Sequence, residues 1–480
     1  MKENDLQMIQ ELTNDFAPDI AKMNQDLWSY AEPGYKEFKS CSELTAALEK
    51  EGFAVEKGIA GIPTAFKAVY GSGRPVIGIT AEYDALPNLS QEKGVAEQKP
   101  LAGNSFGHGC GHCALGAGAA GAAVLAGKWL KKAGVAGTIV LFGTPAEETG
   151  YGKAFMARAH VFDGLDMMFT WHPANVNAAM AVRCNAYLVV RFNFKGVSSH
   201  AAAAPELGRS ALDACELMNS GVNYLREHII QQARVHYAYL EVGGKAPNVV
   251  QSHASLLYFV RAPKVSQCRE ILSRVNDCAK GAALMTGTTV TMKIVGGLSD
   301  LIPNFTAQQI LSDAFTEAGA AEYDAEDYAV AEKFLAILPE DQKKACIRQG
   351  AALNGVSEEE FARKPLATGI VPFDKNKVLS FPASTDVGDV SYIVPTAQIN
   401  VATCIPGTSM HTWQHTAMVG TGIGDKASAA AARAIAYACT KVFRAPEVCE
   451  TARKELLAET GGVYDCPIPD DITPKDTVTD

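Results

Sequence analysis

The sequence predicts an α/β protein in which a mostly parallel sheet is flanked by helices and carries a smaller inserted domain. Short β-branched runs, such as 75–80, 138–143 and 167–171, alternate with helix-like segments in the first part of the chain. This alternation is typical of a parallel sheet that is covered on both faces. After about residue 186 the order becomes β-α-β-β-α-β, which is the order of the split β-α-β, ferredoxin-like sandwich.

The length of 480 residues exceeds one ordinary hydrophobic core, so we expect two domains. We predict a catalytic domain formed by 1–185 and 301–480, with residues 186–300 inserted between these two parts. Within it, the first 50 residues and much of 303–380 are expected to be helical. A last strand at 396–403 and a closing helix complete this domain.

The composition describes a globular protein without a nucleic-acid surface. Hydrophobic residues make up 48% and charged residues 20%, and the net charge is −10. The polar N-terminus has no signal-peptide core, and the run 113–127 is too short and too small in its side chains for a membrane span. Twelve cysteines without regular spacing favour reduced thiols. We therefore expect a cytoplasmic protein without a membrane segment.

The segment Gly107–Cys113 holds two imidazoles and two thiols between glycines, directly before an Ala- and Gly-rich helix. Histidine and cysteine in such a cluster are metal-ligand types. Further candidates follow the ends of predicted strands, where ligands bind in open α/β sheets. These are Asp84, Glu147, Glu148, His172 and His411.

The adjacent pair Glu147 and Glu148 suggests two roles. In an extended segment neighbouring side chains point to opposite sides, so we expect one carboxylate to bind metal and the other to act as general base. An exposed acidic loop is the alternative interpretation.

Other interpretations of these residues remain open from the pattern alone. His172 could be a core histidine beside a tryptophan, and His200 could be structural among its small neighbours. Cys110 and Cys113 form a C-x-x-C pair at a helix start, which is also the motif of thiol–disulfide exchange.

Taken together, five motifs resemble the amidohydrolase branch of the zinc-dependent aminoacylase and glutamate-carboxypeptidase family of metallopeptidases. The resemblance extends over essentially the whole chain. The motifs are Cys110-Gly111-His112, Pro145–Glu148, His172, Gly196–Pro205 and Gly407–His411.

The resemblance implies a di-zinc-peptidase-like catalytic domain with two divalent metal ions per subunit, zinc or manganese, with cobalt also admitted. It implies Cys110 as a bridging ligand, Glu147 as general base and proton donor to the leaving amine, and Asp84 as the residue that orients a ligand histidine. The implied metal ligands are Cys110, His112, Glu148, His172 and His411.

For the substrate, the resemblance implies that Asn248 and Arg261 hold a carboxylate and that Gly407 adds a backbone donor. His200 would reach from the inserted lid and dimerisation domain into the partner subunit's site and polarise the scissile carbonyl. The chain departs from the family at Cys113, where Asp or Asn is usual, and carries Glu82 where a ligand histidine is often found.

The activity that the resemblance implies is metal-dependent hydrolysis of the amide bond of an N-acyl amino acid. The expected substrate is p-aminobenzoyl-glutamate, which gives p-aminobenzoate and glutamate. The alternatives are a dipeptidase, another N-acyl-amino-acid hydrolase, or a subunit that is active only in a dimer with a homologous sister chain.

Overall fold

The computed structural model describes residues 2–179 and 181–477. Its helices α1 to α15, in chain order, are Lys2–Tyr30, Phe38–Lys50, His112–Ala133, Gly152–Arg158, Ala211–Leu225, Val265–Thr286, Phe305–Ala318, Ala325–Ala336, Glu340–Asn354, Glu358–Arg363, Val387–Ser391, Trp413–Val419, Gly422–Arg444, Val448–Thr460 and Pro474–Thr477. Its strands β1 to β14, in chain order, are Ala54–Lys57, Phe66–Ser72, Val76–Ala81, Gly137–Gly143, Met167–Ala174, Asn177–Ala179, Ala181–Cys184, Ala186–Lys195, Arg234–Glu241, His253–Ala262, Thr289–Leu298, Ile370–Val371, Val378–Phe381 and Thr396–Ala402.

The chain divides into two compact units. The first is formed by the described residues within 1–182, 303–379 and 390–464, and the second by those within 183–302, 380–389 and 465–480. The second unit thus includes two short segments that the sequence analysis assigned to the catalytic domain. Polar contacts hold them there: Asp389 accepts a hydrogen bond from the Ser299 hydroxyl at 2.7 Å, and Arg269 pairs with Asp465.

The described part of the first unit contains an eight-stranded sheet with the order β1-β2-β4-β3-β5-β14-β6-β12. Its four central strands, β4, β3, β5 and β14, run parallel to one another. The outer strands add antiparallel pairs, so the whole sheet is mixed around a parallel centre. This confirms the predicted α/β fold. Because the central strands are parallel, the segments that follow them gather at one edge of the sheet.

Helix α3 packs closely in the core because its residues are small. A Cβ atom on Gly118 would lie 2.8 Å from the Trp171 ring, and one on Gly121 would lie 2.6 Å from Ile20. Among the described residues this is the one helix long and apolar enough to cross a membrane, but 94% of its most apolar window is buried inside the protein. Such burial is what a core helix of this composition requires.

The second unit contains a four-stranded antiparallel sheet with the order β11-β8-β10-β9. Helices α5 and α6 share one hydrophobic cluster with it, which includes Leu256, Met218 and Ile271. The chain order β8-α5-β9-β10-α6-β11 confirms the predicted split β-α-β sandwich. In the described chain β9 is an edge strand.

The helices α8 to α10 pack onto the loop that follows β14. Phe334, Cys346 and Phe361 from these helices form one apolar cluster with Cys404 and Ile405. This segment therefore supports the loop that carries Gly407 and His411.

Candidate active site

The Cys110–His112 segment turns sharply into helix α3. Gly111 has a φ of +81°, and a Cβ atom there would lie 2.8 Å from Pro173. Only glycine adopts this conformation without strain, so it fixes the turn. His112 is the first residue of α3 and is fully buried, and Cys110 is 8% exposed.

Asp84 holds two parts of the site together. The Nδ1–H of His112 donates to Asp84 Oδ1 at 2.8 Å, and the backbone N–H of Glu148 donates to Asp84 Oδ2 at 2.9 Å. His172 is fixed in a similar way, because its Nδ1–H donates to the Pro173 carbonyl at 2.7 Å. In its neutral form each imidazole then presents Nε2 as a lone pair, which is the arrangement of a metal-binding histidine.

Six side chains bring ligand atoms into three overlapping groups within 4.8 Å. The first group is Cys110, His112 and His172, and the second is Cys110, Glu148 and His411. The third is His112 with both Glu147 and Glu148. Cys110 Sγ lies 3.4 Å from His172 Nε2, and His411 Nε2 lies 3.3 Å from Glu148 Oε2. Cys110 thus stands between two possible ion positions.

The expectation that Glu147 and Glu148 point to opposite sides is wrong. They lie in a turn instead of an extended segment, because Ala146 before them has a φ of +58°. Glu37 stabilises this turn: its Oε1 accepts the Ala146 N–H at 2.9 Å, and its Oε2 accepts the Thr64 hydroxyl at 2.8 Å. Both carboxylates consequently reach the vicinity of His112.

The site fits divalent cations. Three buried atoms in it, His112 Nε2, Glu82 Oε2 and Glu148 Oε1, make no hydrogen bond within the described chain. An unpaired buried carboxylate oxygen costs free energy unless a cation or another donor compensates it. Thiolate, imidazole and carboxylate side by side are also the donor set of zinc, manganese and cobalt sites.

Burial and neighbouring charge shift the titration of the metal-facing groups. Burial and the Glu148 charge raise the pKa of the Cys110 thiol well above its usual value. Burial lowers the pKa of His172, assisted by the charge on His112. Burial also acts to lower the pKa of His112. The contacts with Cys110 and Asp84 outweigh burial, so the pKa of His112 is raised well above its usual value. A bound cation therefore has to displace a proton from Cys110 and one from His112 Nε2.

The structure adds three residues that the sequence analysis did not assign to the site. Lys153 is fully buried, and its Nζ lies 2.7 Å from Glu82 Oε1. His415 donates from Nδ1 to the Gly109 carbonyl at 2.8 Å, and burial lowers its pKa to about 4. Glu37 is the third. In the sequence, nothing local indicated that Lys153 would meet Glu82, since they lie 71 positions apart.

Cys113 belongs to the apolar core instead of the ligand cluster. It is fully buried among core residues of the first unit, and burial raises the pKa of its thiol. This is the opposite of the depressed thiol pKa that disulfide exchange requires. His108 donates from Nε2 to the Leu27 carbonyl, 3.0 Å away, and lies outside the ligand groups.

The second unit carries the three remaining side-chain candidates. Backbone N–H groups of Ala202 and Ala203 each donate to His200 Nδ1 at 3.2 Å, so the ring proton lies on Nε2. The Ala201 N–H donates to the Asn248 carbonyl at 3.0 Å, which joins the His200 loop to the Asn248 loop. Both residues are exposed.

Arg261 is held in place without an acidic partner in the described chain. Its guanidinium lies 4.7 Å from the Tyr187 ring centre and 5.6 Å from that of Phe259. Its NH1 donates to the Ser384 hydroxyl at 3.1 Å. Gly407, in the first unit, has a φ of +83° and lies next to Cys346.

The fold and the clustered donors define a metal-dependent hydrolase of amide or peptide bonds. The sequence profile of peptidase family M20/M25/M40 matches residues 78–334, and the chain belongs to this family. It is 40% identical over 455 residues, 94% of each chain, to the subunit designated B of p-aminobenzoyl-glutamate hydrolase from Escherichia coli K12.

One further relative and one solved structure are similar to this chain. The mouse Xaa-Arg dipeptidase is 29% identical, with 93% of this chain and 90% of that protein covered. The crystal structure of Bacillus subtilis YXEP, described as a dinuclear metal-binding peptidase of the M20 family, shares the fold with a TM-score of 0.59. It is 18% identical, and the match covers 90% of this chain and 99% of that chain.

Proposed function

We propose that this enzyme hydrolyses the amide bond of N-acyl amino acids and that p-aminobenzoyl-glutamate is its substrate. The observation that carries the proposal is the buried donor cluster around Cys110, with its unpaired imidazole and carboxylate atoms. The substrate is supported by the relative that shares 40% of its residues over nearly the full length.

We assign the metal ligands from the two groups of donor atoms that have Cys110 in common, one group for each ion. Cys110, His112 and His172 would hold one ion, and Cys110, Glu148 and His411 the other, with the thiolate between them. The mixture of sulfur, nitrogen and oxygen donors suits zinc or cobalt by softness and admits manganese through the carboxylate.

In this proposal the bound ions would polarise the attacking water and the scissile carbonyl. Glu147 accepts the proton of that water on a carboxylate oxygen and later delivers it to the leaving amine nitrogen. The turn at Ala146, held by Glu37, keeps Glu147 within reach of the cluster. Positioned proton transfer of this kind contributes about 10²–10⁴-fold to the rate.

The substrate contacts are assigned from the second unit and one loop of the first. His200 has a hydrogen on Nε2 and can donate it to the carbonyl oxygen. Arg261, which two aromatic rings and Ser384 hold in place, suits a carboxylate, since a guanidinium binds one through two hydrogen bonds. Asn248 would add a contact to that carboxylate, and Gly407 a backbone donor.

We also propose that the chain acts as a dimer through the second unit, with His200 serving the partner's site. Edge strand β9 supports this, because Tyr237, Tyr239 and Leu240 are each 37–44% exposed there. The name of the bacterial relative describes a subunit, which favours a homologous sister chain as partner. A cytoplasmic location fits a thiolate ligand that has to stay reduced.

The test is to purify the chain alone, measure its metal content and assay p-aminobenzoyl-glutamate. We expect hydrolysis with about two ions per chain. The E147Q variant should keep both ions and lose at least about 10²-fold in kcat. E97Q, which alters an exposed acid of the same unit, is the matched control. Full turnover by metal-loaded E147Q would refute the assignment of the base.

A dipeptidase is the second candidate, which the similarity to the Xaa-Arg dipeptidase favours. An assay panel of dipeptides and acyl-amino acids distinguishes the two. A kcat/KM for a dipeptide at least 10-fold above that for p-aminobenzoyl-glutamate would favour it. Activity that appears only after a homologous chain is added would instead favour an obligate sister subunit.

A further inference from the structure

Glu82 lies at the end of β3 and presents its two carboxylate oxygens to different surroundings. The residue is 2% exposed. Its Oε1 lies 2.7 Å from Nζ of Lys153, which is fully buried. Its Oε2 lies 3.2 Å from His112 Nε2, and neither of these two atoms makes a hydrogen bond in the described chain. One oxygen is thus neutralised by an ammonium group, and the other faces the imidazole lone pair.

The separation of these two unpaired atoms suits a shared ion. Two ligand atoms that bind one divalent ion at about 2.0–2.2 Å, at angles of about 90–109°, lie roughly 2.8–3.6 Å apart. The observed 3.2 Å falls inside this interval. Asp84 already occupies Nδ1 of His112, so Nε2 is the atom that faces Glu82.

We propose that Glu82 Oε2 is a further ligand of the ion that His112 binds. The inference rests on the proposed function, because it requires that the site holds divalent ions. It adds a sixth protein residue to the five ligands assigned above. Lys153 restricts Glu82 to a single ligating oxygen, since it engages Oε1, and it offsets the charge of the carboxylate in the buried site.

A Glu82 ligand would affect which metal the site prefers. A carboxylate oxygen added to thiolate and imidazole makes the donor set harder and raises the coordination number. Manganese accepts oxygen ligands more readily than zinc, which is satisfied by four ligands in most protein sites. Glu82 should therefore favour manganese over zinc at the ion that His112 binds.

The experiment measures metal binding in the full-length E82Q variant. Dissociation constants for manganese and zinc are determined by competition with a chromogenic chelator, and metal content is determined by mass spectrometry. We expect E82Q to lose at least about 10-fold in manganese affinity, with a smaller loss for zinc. The electron paramagnetic resonance signal of the manganese-loaded protein should change as one ion is lost.

D327N is the matched control, because Asp327 is 4% exposed and pairs with Lys426 in the same unit outside the donor groups. It reports the cost of removing a buried carboxylate from a lysine, so its melting temperature should fall while both metal affinities stay unchanged. If E82Q does not fold, E82D keeps the charge opposite Lys153 while its shorter side chain withdraws the oxygen, and the same loss of manganese affinity is expected.

The outcomes separate the two proposals. If the unaltered protein binds two ions, and the folded Glu82 variant binds them with the same affinities and preference, Glu82 is only the counter-ion of Lys153 and the inference is refuted. If the unaltered protein binds no divalent ion, the proposed function itself fails.

Discussion

Replacement of Glu37 by glutamine should change the pH dependence of stability. The buried Glu37 carboxyl accepts hydrogen bonds from Ala146 and Thr64. Burial, reinforced by the nearby Asp84 charge, raises the pKa of Glu37 to about 8. In the unfolded chain the same group titrates near about 4.3.

The sign of the effect follows from proton binding. Between the two pKa values the folded protein keeps a proton that the unfolded chain has released, so this contribution to stability falls as the pH rises. The slope is about 1.4 kcal/mol per pH unit, which gives roughly 3 kcal/mol between pH 5.5 and pH 7.5. E37Q lacks this slope. Its amide oxygen can still accept the Ala146 N–H, and its NH₂ can donate to the Thr64 oxygen.

The assay is urea denaturation at pH 5.5, 6.5 and 7.5 of the wild-type protein, E37Q and a control, E56Q. Glu56 is an exposed carboxylate on β1, so the control removes the same carboxylate charge from the unfolded chain. We expect the free energy of unfolding of E37Q to increase relative to that of the wild type as the pH rises. The free energy of unfolding of E56Q should change with pH in the same way as that of the wild type. A constant difference between E37Q and the wild type over this range would refute the reasoning.

Three further predictions concern stability and metal dependence. G111A should destabilise the protein by about 2–4 kcal/mol and weaken metal binding, because its Cβ would meet Pro173 at a positive φ; G134A, with a φ of +62° and open space, should cost only about 1–2 kcal/mol. Equal losses of urea midpoint in both variants would contradict this. D5N should cost about 1–3 kcal/mol, because Asp5 accepts two hydrogen bonds from Arg444 at 3.0 Å, and an unchanged melting temperature would count against it. EDTA should abolish hydrolysis and lower the melting temperature, with both restored by manganese or zinc; a treated protein that keeps full activity would contradict a metal-dependent reaction.

The fold was largely predictable because its signals are local. Alternation of β-branched runs with helical segments predicts the parallel centre of the sheet, and the order β-α-β-β-α-β predicts the second unit. The gathering of the candidate donors was predictable for the same reason, since His172 lies in β5 and Glu148 and His411 follow β4 and β14, which are parallel strands at the centre of one sheet. Chain order and residue type were sufficient there.

The missed features depend on contacts between distant residues. Alanine rarely adopts a positive φ, so nothing in the sequence indicated that Ala146 would turn both glutamates toward His112. That turn depends on Glu37, more than a hundred residues earlier in the chain. Lys153 begins an ordinary helix, and only the folded chain shows that it meets Glu82. Likewise, residues 465–477 join the second unit through contacts such as Arg269 with Asp465.

The carbonyl oxygen of Gly109 has a consequence for biosynthesis. It accepts hydrogen bonds from the His411 backbone N–H and from His415 Nδ1, each at 2.8 Å. Two residues near the end of the chain therefore close the loop that presents Cys110. During synthesis, an emerging polypeptide of 400 residues lacks both of these contacts and the proposed ligand His411. If His411 binds metal as proposed, catalytic competence arises only after residue 415 has been synthesised, and a chain that stops before it should be inactive.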